Sequence, residues 1–329
     1  MLKHIFKLLS GIPLLVGFYL GLTLFNIGQA QTYPSKAIRI VVPFAPGGTS
    51  DILARTIGVK LTEAWGQPVV VENKAGATGN VGADFVAKAP ADGHTLLLTD
   101  LSVLSINQSV FPNMPFDGIK DFAPVTMVAY SPHAFGVHPS VPVNTVKELI
   151  DYAKANPNKL NFAISGTGGA PHLAGIAFAQ RTGISWTYIP YKGGSQAVAD
   201  VAAGQSNVIM NGMLATYPTI KSGKIRGLAV SSLHKMNSAP ELPTIAEVLP
   251  GFETGSYQGI VAPAGTPAEV IAKLNAEVAR IMATQEMKDR LTAQGTEARN
   301  SSPEAMLNFL RTEKTRWAQV IKESGIKFD

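Results

Sequence analysis

Ile38-Arg39-Ile40-Val41-Val42-Pro43-Phe44-Ala45-Pro46-Gly47-Gly48-Thr49-Ser50-Asp51 changes character in its middle, from a β-branched run to a glycine turn and from the turn to a helix. Ile38, Ile40, Val41 and Val42 suit a strand covered on both faces of a mostly parallel sheet. Pro43 ends the ladder by withholding its N–H. Pro46-Gly47-Gly48 turns the backbone sharply, and Thr49, Ser50 or Asp51 can cap a helix carrying Ile52, Leu53, Ile57 and Leu61 on one face. Such a turn presents backbone N–H groups at the positive end of a helix dipole, where an anion can sit. An ordinary strand-to-helix turn has the same outline, so this stretch alone leaves both readings open.

A second turn of the same design favours the anion reading. Leu160-Asn161-Phe162-Ala163-Ile164 reads as a strand, Ser165-Gly166-Thr167-Gly168-Gly169 as a tight turn, and Ala170 to Gln180 as a helix with Pro171 in its first turn. Two such helix starts point to two lobes facing one ligand. Thr167 lies inside its turn with no helix face to pack on, so its hydroxyl is expected to point into the cleft. Thr49 holds the corresponding place after Gly47-Gly48, where it can cap its helix or meet the ligand.

At the start of the chain, Lys3 and Lys7 precede an apolar run from Leu8 to Ile27 that ends in Gly28-Gln29-Ala30. This is the pattern of a secretory signal over residues 1–30, cleaved after Ala30 and leading to export. A retained membrane anchor is the other reading of so long a run. The chain has no cysteine, so neither a lipid-anchored cysteine nor a disulfide framework is available. The formal charge is +5, from 28 basic and 23 acidic side chains, and loss of Lys3 and Lys7 brings it to +3. The charges are scattered, with no basic run and no aromatic-interleaved basic stripe, which argues against a nucleic-acid partner.

Farther on, Val69–Glu72 and Thr95–Thr99 read as strands, with Asn73-Lys74-Ala75-Gly76-Ala77-Thr78-Gly79-Asn80 opening a helix between them. The spacing predicts an α/β architecture of βαβ units. Asp100-Leu101-Ser102 follows the third strand at its carboxyl end, where ligands bind in open α/β sheets, and Asn211 stands likewise after Val208-Ile209-Met210. Two stretches, Phe122–Val137 and Phe252–Val261, are extended, apolar and bordered by prolines. They read as strands crossing side by side between lobes, one lobe made of residues 31–130 and 251–329, the other of 131–250. Past Pro267 the chain reads as helices, with Ile271, Leu274, Val278 and Ile281 on one stripe and Met306, Phe309, Leu310 and Trp317 on another.

Several motifs, kept in order from Tyr33-Pro34 to the C-terminus, resemble the Bug family, the substrate-binding proteins of tripartite tricarboxylate transporters. They are Ile40 to Asp51, Val71 to Asn80, Ala89-Pro90-Ala91-Asp92-Gly93-His94-Thr95-Leu96, Ile189-Pro190-Tyr191-Lys192-Gly193, Ser222-Gly223-Lys224-Ile225-Arg226 and Val261-Ala262-Pro263-Ala264-Gly265-Thr266-Pro267. The resemblance implies a type II periplasmic binding protein fold of two lobes joined by two crossing strands. It also implies a monomeric receptor that takes a small carboxylate or dicarboxylate and delivers it to membrane permease subunits, with no cofactor. Carried onto this sequence, the first family loop falls on Pro46, Gly47, Gly48, Thr49 and Asp51, and the second on Ser165 to Gly169 with His172 following. In the family these loops hold a ligand carboxylate. The crossing strand departs from the family: where an aromatic, often tryptophan, stands near its glycine, this chain has Ser256-Tyr257-Gln258-Gly259, so Tyr257 is expected at the far end of the pocket.

Other readings of the same frame are a sensor subunit presenting ligand to a receptor kinase and an enzyme acting on anionic substrates. Neither glycine turn matches G-x-G-x-x-G, and Gly223-Lys224 lacks the rest of a P-loop. Gly193-Gly194-Ser195-Gln196-Ala197 approaches a nucleophile elbow but ends in alanine, and Ser195 reads better as a helix cap. Six histidines without H-E-x-x-H predict no metal site. His133 and His138 would point to opposite faces of a strand. His172 can contact ligand or serve the helix surface, and Tyr191 and Lys192, after Ile189-Pro190, can overhang the cleft or stay solvated.

Overall fold

The computed structural model describes residues 33–111 and 113–324, so the leader reading over residues 1–30 lies outside the described residues. The first part runs β1 (Ile38–Val42), α1 (Thr49–Trp65), β2 (Val69–Asn73), α2 (Asn80–Ala87), β3 (Thr95–Asp100) and two short helices, α3 (Ser102–Ser105) and α4 (Asn107–Val110). The long strand β4 (Phe122–Val137) leads into α5 (Val146–Ala155), β5 (Asn161–Ile164), α6 (Ala170–Thr182), β6 (Thr187–Pro190), α7 (Gly194–Ala202), β7 (Val208–Gly212), α8 (Met213–Lys221) and β8 (Arg226–Val230). The chain then returns through β9 (Gly255–Pro263) to α9 (Ala268–Ala283), α10 (Gln285–Thr292), β10 (Glu297–Ala298) and α11 (Pro303–Ser324).

Among the described residues the strands join in the order β2-β1-β3-β9-β4-β7-β5-β6, with β8 and β10 also pairing β4. β1 pairs in parallel with β2 and β3, and β5 with β6 and β7, as expected for βαβ units. The two parallel groups are linked by antiparallel strands. β4 pairs with β9 from Phe122 to Pro132 and, from His133 to Val137, with β7. The two stretches read as crossing strands therefore lie side by side, with Tyr130 opposite Tyr257. The second begins later than expected, at Gly255, and runs on to Pro263.

Each group has its own packed interior. Val41, Leu97, Leu101, Phe122, Met306 and Leu310 belong to one apolar cluster, which makes the C-terminal helix part of the first group's core. Phe135, Phe162, Phe178 and Trp186 anchor the other, with the Phe178 and Trp186 rings stacked at 5.7 Å. The stripe Ile271, Leu274, Val278 and Ile281 is buried in α9, as its spacing predicts. No helix among the described residues is long and apolar enough to cross a membrane.

Candidate functional site

The carboxyl ends of β1, β3, β5 and β7 converge on one cavity, the position at which open α/β sheets bind ligands. The helices α1, α6, α7 and α8 start beside it with Gly48, Gly169, Gly193 and Gly212 as N-caps, and none of the four has a side-chain capping bond. A helix start leaves its first N–H groups without intrahelical partners, and a glycine N-cap has no side chain to accept from them; in α8 one of them, the Leu214 N–H, donates to the Ser131 hydroxyl at 3.4 Å. Four dipoles with positive ends at one wall make the cavity a place for negative charge.

Of the residues expected from sequence, Gly48, Thr49, Asp100, Ser165 and Asn211 line this cavity. Phe44, Ser50, Pro171, Gly194, Gly212, Ser256 and Gln258 line it too, beyond the residues that the sequence singles out. Two of them join the crossing strand to the first helix, because the Ser50 hydroxyl donates to Gln258 Oε1 at 2.7 Å. Asn211 donates from Nδ2 to Thr216 Oγ1 at 3.0 Å, and a Cβ at Gly194 would stand 2.9 Å from its amide, so only glycine lets α7 start that close. Asp100 is buried and accepts from the Ser102 N–H at 2.9 Å. Burial pushes its carboxyl up from the usual range, against the Ser102 and Ser256 hydrogen bonds that favour charge, which lessens its repulsion of a bound anion.

The remaining candidates serve other ends. Asp51 does not face the cavity; its carboxylate is buried and accepts from the Gly47 N–H, Asn73 Nδ2 and Arg55. Burial alone would raise its pKa, but these donors outweigh it and hold the carboxyl below the usual range, so Asp51 braces the turn as a fixed anion. Gly47 is thereby committed inward, and Pro46 turns its carbonyl to the Ser195 hydroxyl at 2.7 Å. Thr49 forms no cap, since Gly48 holds that place, and its hydroxyl lies against Gly212 instead. Ser195 likewise caps nothing; Gly193 is the N-cap of α7.

In the second loop only Ser165 lines the cavity. The Thr167 carbonyl accepts from Thr78 Oγ1 at 3.0 Å, and Gly166, Gly168 and Gly169 pack against Thr78 and Val110. His172 is buried with its ring 4.5 Å from that of Tyr188, and its Nδ1 accepts from the Gly168 N–H at 2.8 Å. It thus fixes the loop from behind. Tyr191 shares a hydrogen bond with Ser206 at 3.1 Å, and Lys192 is exposed with its N–H donating to Gln196, so neither overhangs the cavity. Tyr257 and Ser102 line a neighbouring cavity that shares Asp100 with the first, where Tyr257 packs on Tyr130 and Phe309 at 4.7 Å each. Neither glycine loop alone carried a signal for Ser256 or Gln258; the period-2 alternation of β9, which sets them on the face opposite Tyr257, could have found them. Among the described residues no group of three or more His, Asp or Glu could hold a metal ion.

Residues 53–326 match the tripartite tricarboxylate transporter family receptor, TctC. The protein BugT of Bordetella pertussis is 36% identical over 301 residues, which cover 91% of this chain and 92% of BugT. Among solved structures, the periplasmic binding protein BugD superposes with a TM-score of 0.86 at 34% identity, covering 90% of this chain and 99% of that one. A protein of R. palustris with adipate superposes with a TM-score of 0.87 at 37% identity, again covering 90% and 99%.

Proposed function

We infer, from the premise that this chain belongs to the tripartite tricarboxylate transporter receptor family, that its loop-lined cavity holds a carboxylate group of a small organic acid. The fold is the two-lobed α/β fold of the periplasmic binding proteins, with β4 and β9 as crossing strands. One observation carries the ligand class: four helix starts with glycine N-caps face a single cavity that offers hydroxyls and an amide but no cationic side chain among its lining residues. Such a site neutralises a carboxylate with N–H dipoles, and a ligand with no negative charge forfeits that term. The R. palustris relative was obtained with adipate, a dicarboxylate, which fits the same reading.

The protein on this reading works in the periplasm after loss of its leader, binds without turnover, and hands its ligand to membrane permease subunits. Its lobes are residues 31–130 with 251–329, and 131–250. Calorimetry on mono- and dicarboxylates against their amides and esters tests the site. Each charge-assisted hydrogen bond contributes about 1.5 to 3 kcal/mol, so the neutral analogues are expected to bind about tenfold more weakly or worse. Equal affinity for acid and neutral forms would remove the loops as the anion site.

A further inference from the structure

Each ligand loop is held from the far side of the cavity by a hydroxyl. The Pro46 carbonyl of the first loop accepts from Ser195 at the start of α7, and the Thr167 carbonyl of the second accepts from Thr78 just before α2. The two bonds run in opposite senses, since Thr78 precedes β4 and reaches a loop beyond it, whereas Ser195 follows β4 and reaches a loop before it. Glycine lies beneath each contact. A Cβ at Gly47 would touch the Ser195 side chain at 3.5 Å, and one at Gly166 would stand 2.8 Å from Thr78 Cγ2.

The backbone of Thr78 adds an independent observation. It holds φ 53° and ψ 39°, a left-handed conformation that a β-branched residue adopts only when its surroundings impose it. Asn107, fully buried, donates from Nδ2 to the Thr78 carbonyl at 3.0 Å and to Asn80 Oδ1, which pins the segment in that conformation. Strain of this kind persists where it aims a group at a target. The target here is the Thr167 carbonyl.

We propose that Thr78 and Ser195 are reciprocal clasps: each positions the ligand loop of the opposite half through one hydroxyl-to-carbonyl bond and keeps the cleft closed over a bound acid. The proposal extends the carboxylate reading, on which it rests only for the choice of probe. Hydrogen exchange on the ligand-free protein tests the positioning by itself. Thr78→Val is expected to raise exchange about tenfold in residues 165–169 while leaving 45–48 unchanged, and Ser195→Ala to do the reverse. Thr78→Gly, which loses the hydroxyl but relieves the left-handed strain, gives the same exchange pattern with no loss of melting temperature, and Thr78→Ser restores the wild-type pattern. Stopped-flow release of adipate is expected to be about tenfold faster in Thr78→Val and Ser195→Ala. Unchanged exchange in both loops, exchange raised across the whole chain, or release rates equal to wild type would each overturn the clasp. Absence of adipate and other carboxylate binding in the wild type would instead overturn the ligand reading, with the exchange pattern still deciding whether the loops are clasped.

Discussion

Gly168→Ala is expected to cost the protein most of its ligand affinity and about 2 to 5 kcal/mol of stability. Gly168 has a φ of 76°, in the left-handed region, which costs any residue with a Cβ about 1 to 2 kcal/mol. The added Cβ would also run into the side chain of Val110, which is itself buried among Ile106, Leu173, Ile176 and Trp317 and has little room to yield. Overpacking of this kind adds about 1 to 3 kcal/mol. The loop shifts to escape the collision, and the bond from the Gly168 N–H to His172 breaks with it. Melting of the ligand-free variant measures the stability term, and calorimetry with an acid bound by the wild type measures the loss of affinity. Adding Val110→Ala should return at least part of the affinity, because it removes the collision and leaves only the backbone strain. If the double variant binds no better than Gly168→Ala alone, contact with Val110 is not what shapes the loop.

Acid should weaken the fold steeply through two histidines. His133 is fully buried between the hydroxyls of Thr254 and Ser256, at 3.0 and 3.3 Å, and burial lowers its pKa to about 3. His172 is lowered by burial to about 4. Both are neutral when folded and gain a proton near pH 6.5 when unfolded, so they contribute stability in full above that value. This stability is lost as the pH falls through 6.5 towards the folded pKa of each. By pH 5 each histidine costs about 2 kcal/mol, and the pair lowers the melting temperature by roughly 6 °C relative to pH 7.5. His172→Asn, whose Oδ1 can still accept from Gly168, should roughly halve that fall. A melting temperature that stays level from pH 7.5 to 5 would show that the two rings are not neutral captives of the fold.

The strand ends and the crossing strands were legible in the sequence because they depend on local rules. Pro43 stops β1, Pro171 sits in the first turn of α6, and the run Phe122–Val137 matches β4 residue for residue. Side-chain direction was less legible, because it depends on which neighbour fills the space behind. Asp51 looked like a cap or a ligand contact, yet Arg55 and Asn73, one from its own helix and one from the next strand, claim it. Thr167 reads as free to point into the cleft, yet it does not line the cavity, and the bond that reaches it from Thr78, 89 residues away, goes to its carbonyl. Ser195 reads from sequence as a helix cap, but its partner Pro46 lies 149 residues distant. Tyr191 and Lys192 ended a strand as expected but are turned toward Ser206 and solvent.

One strand serves both halves of the sheet, and this bears on how the protein comes apart. β4 pairs with β9 over Phe122–Pro132, with register shifts at Val125 and Val128, and gives its last five residues to β7. Unravelling either half strips hydrogen bonds from the same continuous backbone and frees one end of a strand that the other half needs for its own edge. The described residues from Lys36 onward accordingly form a single compact unit. The two halves should therefore be lost together, as one cooperative event in which calorimetric and van't Hoff enthalpies agree, although chains of this length with two cores often unfold in stages.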